Sequence, residues 1–339
     1  MFRIAPAVAH GRRFRLRGDW LLHAARDWFS KPRARATSVE PMARFAHPAL
    51  DMVPDMTLQR YVPPFSLPPN GEAFAAQGWH FIAGRGGASL QLPANWPSLW
   101  LTVRGRLTMQ AQDAHWTLTG GQAQLWRAGA LSVQASHESR WFALVAAPAM
   151  WNRAFDEACI DEAGIDEEPL PWRGDPGDGV HDAMERLAHD DAALALLFPA
   201  LIERQRDVAA CLPRCRGRTL PHRRQALLRL LHLRHLMQCH VEADDDASID
   251  VPWLAERAHY SPGHLIRLHR AVFGETPSDY FTRLRHARAW ELVRETDMPV
   301  ATITHRLGFE SQSAFCRAFK HAFGMTATQA RREADACAA

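Results

Sequence analysis

The strongest constraint on this chain is a pattern that occurs twice near its C-terminal end. VPWLAERAHYSPGHLIRLHRAVFG (251–274) reads as a short helix, a tight turn and a second helix, with Ser261 as N-cap, Pro262 at its first position and Gly274 as its stop. MPVATITHRLGFESQSAFCRAFKHAFG (298–324) repeats the plan: Pro299 opens a helix, Gly308 ends it, Ser311 caps the next and Gly324 stops that. Starts and stops in this order predict two helix-turn-helix units. Between them, TPSDYFTRLRHARAWELVRETD (276–297) reads as a single helix of about 20 residues, roughly 30 Å long.

At about 100° per residue, Leu265, Leu268, His269 and Val272 share one face of the first long helix, while Gly263, Ile266, Arg267 and Arg270 face away. In the second, Phe315, Ala318, Phe319, Ala322 and Phe323 form the apolar arc. Ser313, Arg317 and Lys320 lie opposite, with Gln312 in the first turn. One such helix alone is an ordinary solvated surface. Two of them, each behind a shorter helix and joined by a rigid spacer, match the roughly 34 Å between successive major grooves of double-stranded DNA. Arginine can donate two hydrogen bonds to guanine, and glutamine can pair with adenine. Lysine and a helix N-terminus suit phosphate.

LAERAHYSPGHLIRLHRAVFGETPSDYFTRLRHARAWELV and LGFESQSAFCRAFKHAFGMT resemble the double helix-turn-helix signature of AraC/XylS-type bacterial transcription regulators over residues 249–332. That resemblance implies base and phosphate contacts from Gly263, Ile266, Arg267, Gln312, Ser313, Ala314 and Arg317. Ser261, Arg270, Ser311 and Lys320 join them as candidate DNA-binding residues. The chain departs from the family at His269, where an apolar aromatic is usual, and at Thr304, where a small residue packs. Ala327 and Ala330 stand where Pro and an aromatic are common. The resemblance implies a sequence-specific regulator with DNA as partner, and RNA polymerase as a further partner if it activates.

The rest of the chain fits such a protein. With 339 residues, a formal net charge of +3 and 47% hydrophobic content, it has the composition of a two- or three-domain globular protein. No apolar run approaches the ~18 residues of a membrane span. The N-terminus lacks the apolar core and cleavage site of a signal peptide. Scattered cysteines suit a reducing compartment, so a cytoplasmic location is expected. The expected architecture is α+β and multidomain. Residues 1–56 form a basic segment or an over-extended gene start, 57–150 a β-rich sensor domain, and 151–247 a helical linker and dimerisation region. Residues 248–332 are the DNA-binding domain and 333–339 a tail. VPPFSLPPNG (62–71) reads as a stiff entry loop, and ADDDAS (243–248) as an acidic joint.

Within 79–146, SLWLTVRG, RLTMQAQ, HWTLT, GQAQLW, ALSVQAS and RWFALVAA are short runs rich in β-branched and aromatic residues, separated by turn signals. They predict an antiparallel barrel or sandwich, similar in outline to the cupin-like sensor domains of such regulators. Trp100, Trp116 and Trp126 are candidates to line a site for an unknown small-molecule effector, against the plainer reading that they fill the core. His115 and His137 are isolated, Asp113 and Glu138 sit at turns, and neither a cupin metal set nor a nucleophile motif is present. No cofactor and no catalytic residue are expected.

Two helices are predicted in the linking region. The first covers 180–198 and resumes to 210 after Pro199; the second runs from Pro221 to about Val241. Leu227, Leu230, Leu231, Leu233 and Leu236 exceed one narrow stripe, which suggests packing on two faces and a homodimer. Cys211, Cys215, His232, His235, Cys239 and His240 open an alternative, a metal or thiol sensor with His232, His235 and Cys239 on one helical face. A β-barrel enzyme with an appended DNA-binding module is the other alternative.

Overall fold

The computed structural model describes residues 58–61, 78–92, 96–111, 114–127, 129–158, 169–243 and 249–338. The basic segment 1–56, the VPPFSLPPNG stretch, Asp113, residues 159–168 and residues 244–248 of the joint lie outside them.

Among the described residues, ten strands build two sheets: β1 (Leu58–Tyr61), β2 (Trp79–Arg85), β3 (Ala88–Leu92), β4 (Ser98–Arg104), β5 (Arg106–Ala111), β6 (Ala114–Thr119), β7 (Gln122–Trp126), β8 (Leu131–Ala135), β9 (Arg140–Ala146) and β10 (Trp172–Gly174). One sheet has the order β1-β2-β9-β4-β7-β10, the other β3-β8-β5-β6. Each of the six predicted runs is one strand, β4 to β9. The expected all-antiparallel pairing needs one correction, because β1 runs parallel to β2.

The larger sheet is covered on both faces. Between the sheets lie Ile82, Trp100, Leu107, Met109, Trp116, Trp126 and Trp141. On the opposite face, Trp79, Phe81, Leu99, Leu101, Phe142 and Leu144 pack against helices α1 (Pro148–Ala158), α2 (Gly177–Arg186) and α3 (Ala193–Ala209). Consecutive residues of β4 are therefore buried on alternate sides, and the strand reads as apolar almost throughout. Trp79, Trp151 and Phe198 fasten sheet to helices, with ring centroids 5.0 to 5.9 Å apart. Burying side chains of this size stabilises by roughly 2–3 kcal/mol each.

The helix expected over 180–198 is broken at 187–192, where Asp190 Oδ1 accepts the Ala192 N–H at 2.9 Å and turns the chain. The chain re-enters a helix at Ala193 and runs through Pro199 to Ala209. Helices α1 to α3 thus complete the core of the β-rich body. The remaining part of the linking region is α4 (Leu220–Glu242), preceded by a short 3₁₀ turn at Leu212–Arg214.

Six helices follow: α5 (Val251–Arg257), α6 (Pro262–Phe273), α7 (Pro277–Glu295), α8 (Val300–Arg306), α9 (Gln312–Phe323) and α10 (Ala327–Ala338). Residues 333–338, expected as a tail, continue α10. These helices form two separate cores. Leu254, Leu265, Leu268, Val272, Tyr280 and Leu284 join Leu227, Leu230, Leu233, Leu236 and Met237 of α4. Ala289, Leu292, Val293, Ile303, Phe315, Phe319, Ala327 and Ala330 form the other. The leucines beyond one stripe of α4 are therefore consumed within the chain.

Candidate DNA-binding surface

Local chemistry aims α6 and α9. Ser261 Oγ accepts the His264 N–H at 3.4 Å, and Ser311 Oγ accepts the Ala314 N–H at 3.1 Å. Each satisfies a backbone donor that the first helical turn would otherwise leave open. At the far ends Gly274 and Gly324 take left-handed backbone and donate their N–H groups to Arg270 and Lys320 carbonyls. Spacer α7 starts with a reciprocal capping box between Thr276 and Asp279 and spans 19 residues, roughly 28 Å.

The two long helices are seated by their apolar faces. Leu265, Leu268, His269 and Val272 are buried in α6, as are Phe315 and Phe319 in α9, with Ala318, Ala322 and Phe323 half-buried. Gly263, Arg267 and Arg270 are exposed and Ile266 half-buried. Gln312, Ser313, Arg317 and Lys320 are exposed and Ala314 half-buried. Ser261 and Ser311 are exposed too, with their hydroxyls engaged as caps. Arg267, Arg270, Arg317 and Lys320 make no salt bridge among the described residues. Four cationic side chains thus stand on the outer faces of two capped helices, with the Asp279 carboxylate near Arg270 but outside ion-pair contact.

The departures from the family pattern are accommodated. His269 is buried and donates from Nδ1 to the Glu275 carbonyl at 2.6 Å. Burial pushes its imidazole down to about 4, against the pull of that hydrogen bond, and Arg234 adds to the depression. Thr304 is buried and satisfies its hydroxyl on the Val300 carbonyl at 2.8 Å. Ala327 and Ala330 sit within the second core.

An anchor between α4 and the first module had no sequence signal. Arg234 lies over the rings of Phe273 and Tyr280, at 4.3 and 3.9 Å, and 3.8 Å from Glu275. Glu275 also holds Arg283 at 2.9 Å. These partners are far apart in sequence, and no local spacing marks them.

The cysteine and histidine cluster does not assemble as the metal alternative requires. His235 and Cys239 do meet, with Sγ 3.4 Å from Nε2. Burial pushes this thiol up to about 12 and this imidazole down to about 3, so the pair is neutral. His232 instead lines a groove of about 260 Å³ with Gln225, Leu228, Arg229, Arg257 and Ala258. Cys215 is buried beside Cys211, its thiol pushed up to about 11. Among the described residues, no three His, Cys, Asp or Glu side chains converge to hold a metal ion.

Trp100, Trp116 and Trp126 all lie in the core between the sheets. Their indole N–H groups donate to Ser98 Oγ, Gln124 Oε1 and the Gly129 carbonyl at 2.9, 2.6 and 3.1 Å. In the same interior, buried Thr102 Oγ1 and Trp141 Nε1 have no hydrogen-bond partner among the described residues. Thr102 and Trp141 are directly paired in the β4–β9 register.

Residues 254–333 match the family model described as a helix-turn-helix domain. The HTH-type transcriptional regulator CdhR of Pseudomonas aeruginosa is 37% identical over 78 residues, 23% of this chain and 23% of CdhR. The regulatory protein SoxS of Escherichia coli is 34% identical over 88 residues, which cover 26% of this chain and 80% of SoxS. This chain belongs to the AraC-type regulators. The AraC-type match lies in the C-terminal region, and it spans about a quarter of the length of CdhR. A solved transcriptional regulator with an AraC-type DNA-binding domain, from Chromobacterium violaceum, is 25% identical, covers 31% of this chain and 91% of its own, and has a TM-score of 0.29. No helix among the described residues is long and apolar enough to cross a membrane.

Proposed function

We propose that this AraC-type chain is a cytoplasmic, sequence-specific transcription regulator that inserts α6 and α9 into successive major grooves of double-stranded DNA. The observation that carries this reading is the pair of capped helices whose outer faces hold Arg267 and Arg270, and Arg317 and Lys320, without salt bridges. Arg317 and Gln312 read bases, because they project from the N-terminal half of α9. Arg267 and Arg270 carry the contribution of α6, since Gly263 and Ile266 offer no side-chain hydrogen bonds. Ser313 and Ala314 approach the groove beside Gln312. Lys320, Ser261 and Ser311 lie along the phosphates.

The two-sheet body is the sensor, a cupin-like domain for a small effector. Thr102 Oγ1 and Trp141 Nε1 are polar groups of its largely apolar interior that a ligand would satisfy. An uncharged effector suits that lining. A homodimer is expected, and the exposed large apolar side chains open to it are Leu196 of α3, 55% exposed, and Leu220 at the start of α4, 38% exposed. RNA polymerase is a further partner if the protein activates.

The test is to map bound sites genome-wide and measure Arg317→Ala and Lys320→Ala on one of them. Arg317→Ala should relax base preference at one position, whereas Lys320→Ala should weaken binding uniformly. Unchanged affinity and specificity in Arg317→Ala would remove that residue as a base reader.

A further inference from the structure

The two helix-turn-helix modules are not equivalent in what they are packed against. Helix α4 is shared. Its Cys239 belongs to the core between the sheets, and His235 stands edge-on to Trp116 at 4.5 Å and against Trp126 at 5.5 Å. Arg173 of β10 bonds Glu242 of α4 at 2.8 Å and the Thr117 carbonyl of β6 at 2.9 Å, bracing the helix end on the sheet. The same helix supplies Leu227, Leu230, Leu233, Leu236 and Met237 to the core of the first module. Arg234 adds its stacking on Phe273 and Tyr280.

Among the described residues, the second module has no such attachment. Its core draws only on α7 to α10, and it shares no residue with the first module's core among the described residues. Even α7 divides: Tyr280 and Leu284 serve the first core, whereas Ala289, Leu292 and Val293 serve the second. Cooperative units follow contiguous packing, and a core tied to its neighbour by one helix can open separately.

We infer that the sandwich, α4 and the first module form one cooperative unit, and that the second module is an autonomous one. A state change in the sandwich then reaches DNA through α4 and α6, while α9 reads its half of the site unchanged. The first module is the regulated one. This consequence for DNA rests on the proposed function, but the packing claim does not, and it is tested without DNA.

Native-state hydrogen exchange of the full chain in increasing urea provides the test. The slowest amides of β4, β9, α4 and α6 should converge on one opening reaction, with those of α8 and α9 on another. His235→Ala should then speed exchange about tenfold or more in 220–242 and 262–273, and leave 300–323 within about twofold of the parent. If His235→Ala fails to fold, Glu242→Gln, which removes a single ion pair at a partly exposed end of α4, should give the same order of response at smaller size. Phe319→Leu should loosen 300–323 alone. Convergence of α6 with α9 rather than α4, or equal loosening of both modules by either variant, would overturn the inference.

Discussion

His259 and Gly308 occupy the same place in the two helix-turn-helix turns, and both have left-handed backbone, with φ of 57° and 62°. In each turn the following residue donates its N–H five positions back, Tyr260 to Ala255 and Phe309 to Thr304. One module meets this geometry with glycine; the other forces a β-carbon into it. A left-handed non-glycine residue costs roughly 1–2 kcal/mol. His259→Gly should therefore stabilise the chain by about 1 kcal/mol in a urea titration, even after the entropic cost of glycine. Gly308→Ala should lose a similar amount, although open space surrounds the added methyl. Equal midpoints for His259→Gly and the parent would sink the strain argument.

Acid sensitivity should trace partly to His269. Its imidazole is held down to about 4 in the folded chain and returns to its ordinary 6.5 on unfolding. The unfolded chain binds the proton first, so the stabilising contribution is whole above pH 6.5 and falls away as the pH drops towards 4. The loss is roughly 1.4 kcal/mol per pH unit within that window. His235, held down to about 3, adds a parallel loss. His269→Phe should lessen the slope of stability between pH 6.5 and 4 without abolishing it. An unaltered slope counts against a neutral, buried His269.

Gly84 and Trp141 face each other across β2 and β9, and a methyl on Gly84 would land inside the indole. Overpacking of this kind costs about 1–3 kcal/mol. Gly84→Ala should destabilise by that amount, and Trp141→Phe in the same chain should recover part of it. Simple additivity in the double-mutant cycle would contradict the contact.

Salt dependence separates phosphate contacts from base contacts. Lys320→Ala should lower the slope of log affinity against log salt by about one on every DNA tested. Ser311→Ala should instead cost about 1 kcal/mol of folding stability through loss of the cap. The slope for Lys320→Ala and a melting curve for Ser311→Ala check the two roles.

The C-terminal helices were legible because their boundaries are local: Ser261, Ser311, Gly274 and Gly324 each cap or stop a helix with groups a few residues away. Strands β4 to β9 were legible for a similar reason, with turn residues between short apolar runs. Features that depend on distant partners carry no local signal. Strand β10 pairs with β7 across a long insertion, and β1 lies parallel to β2. The role of α4 was half visible: excess leucines announced two packed faces, but nothing in their spacing said that both partners belong to the same chain. For Trp100, Trp116 and Trp126 the sequence leaves core filling and effector lining both open, because composition cannot reveal that Ser98, Gln124 and Gly129 take their N–H groups.

The six-stranded sheet ends on its two briefest strands, four residues in β1 and three in β10. Its seven-residue strands β2, β4 and β9 lie inside, each hydrogen-bonded on both sides. An incoming chain seeking to extend the sheet finds only a few unpaired backbone groups at either border. The long apolar strands β2, β4 and β9 are thereby withheld from intermolecular pairing for as long as the sheet stays folded.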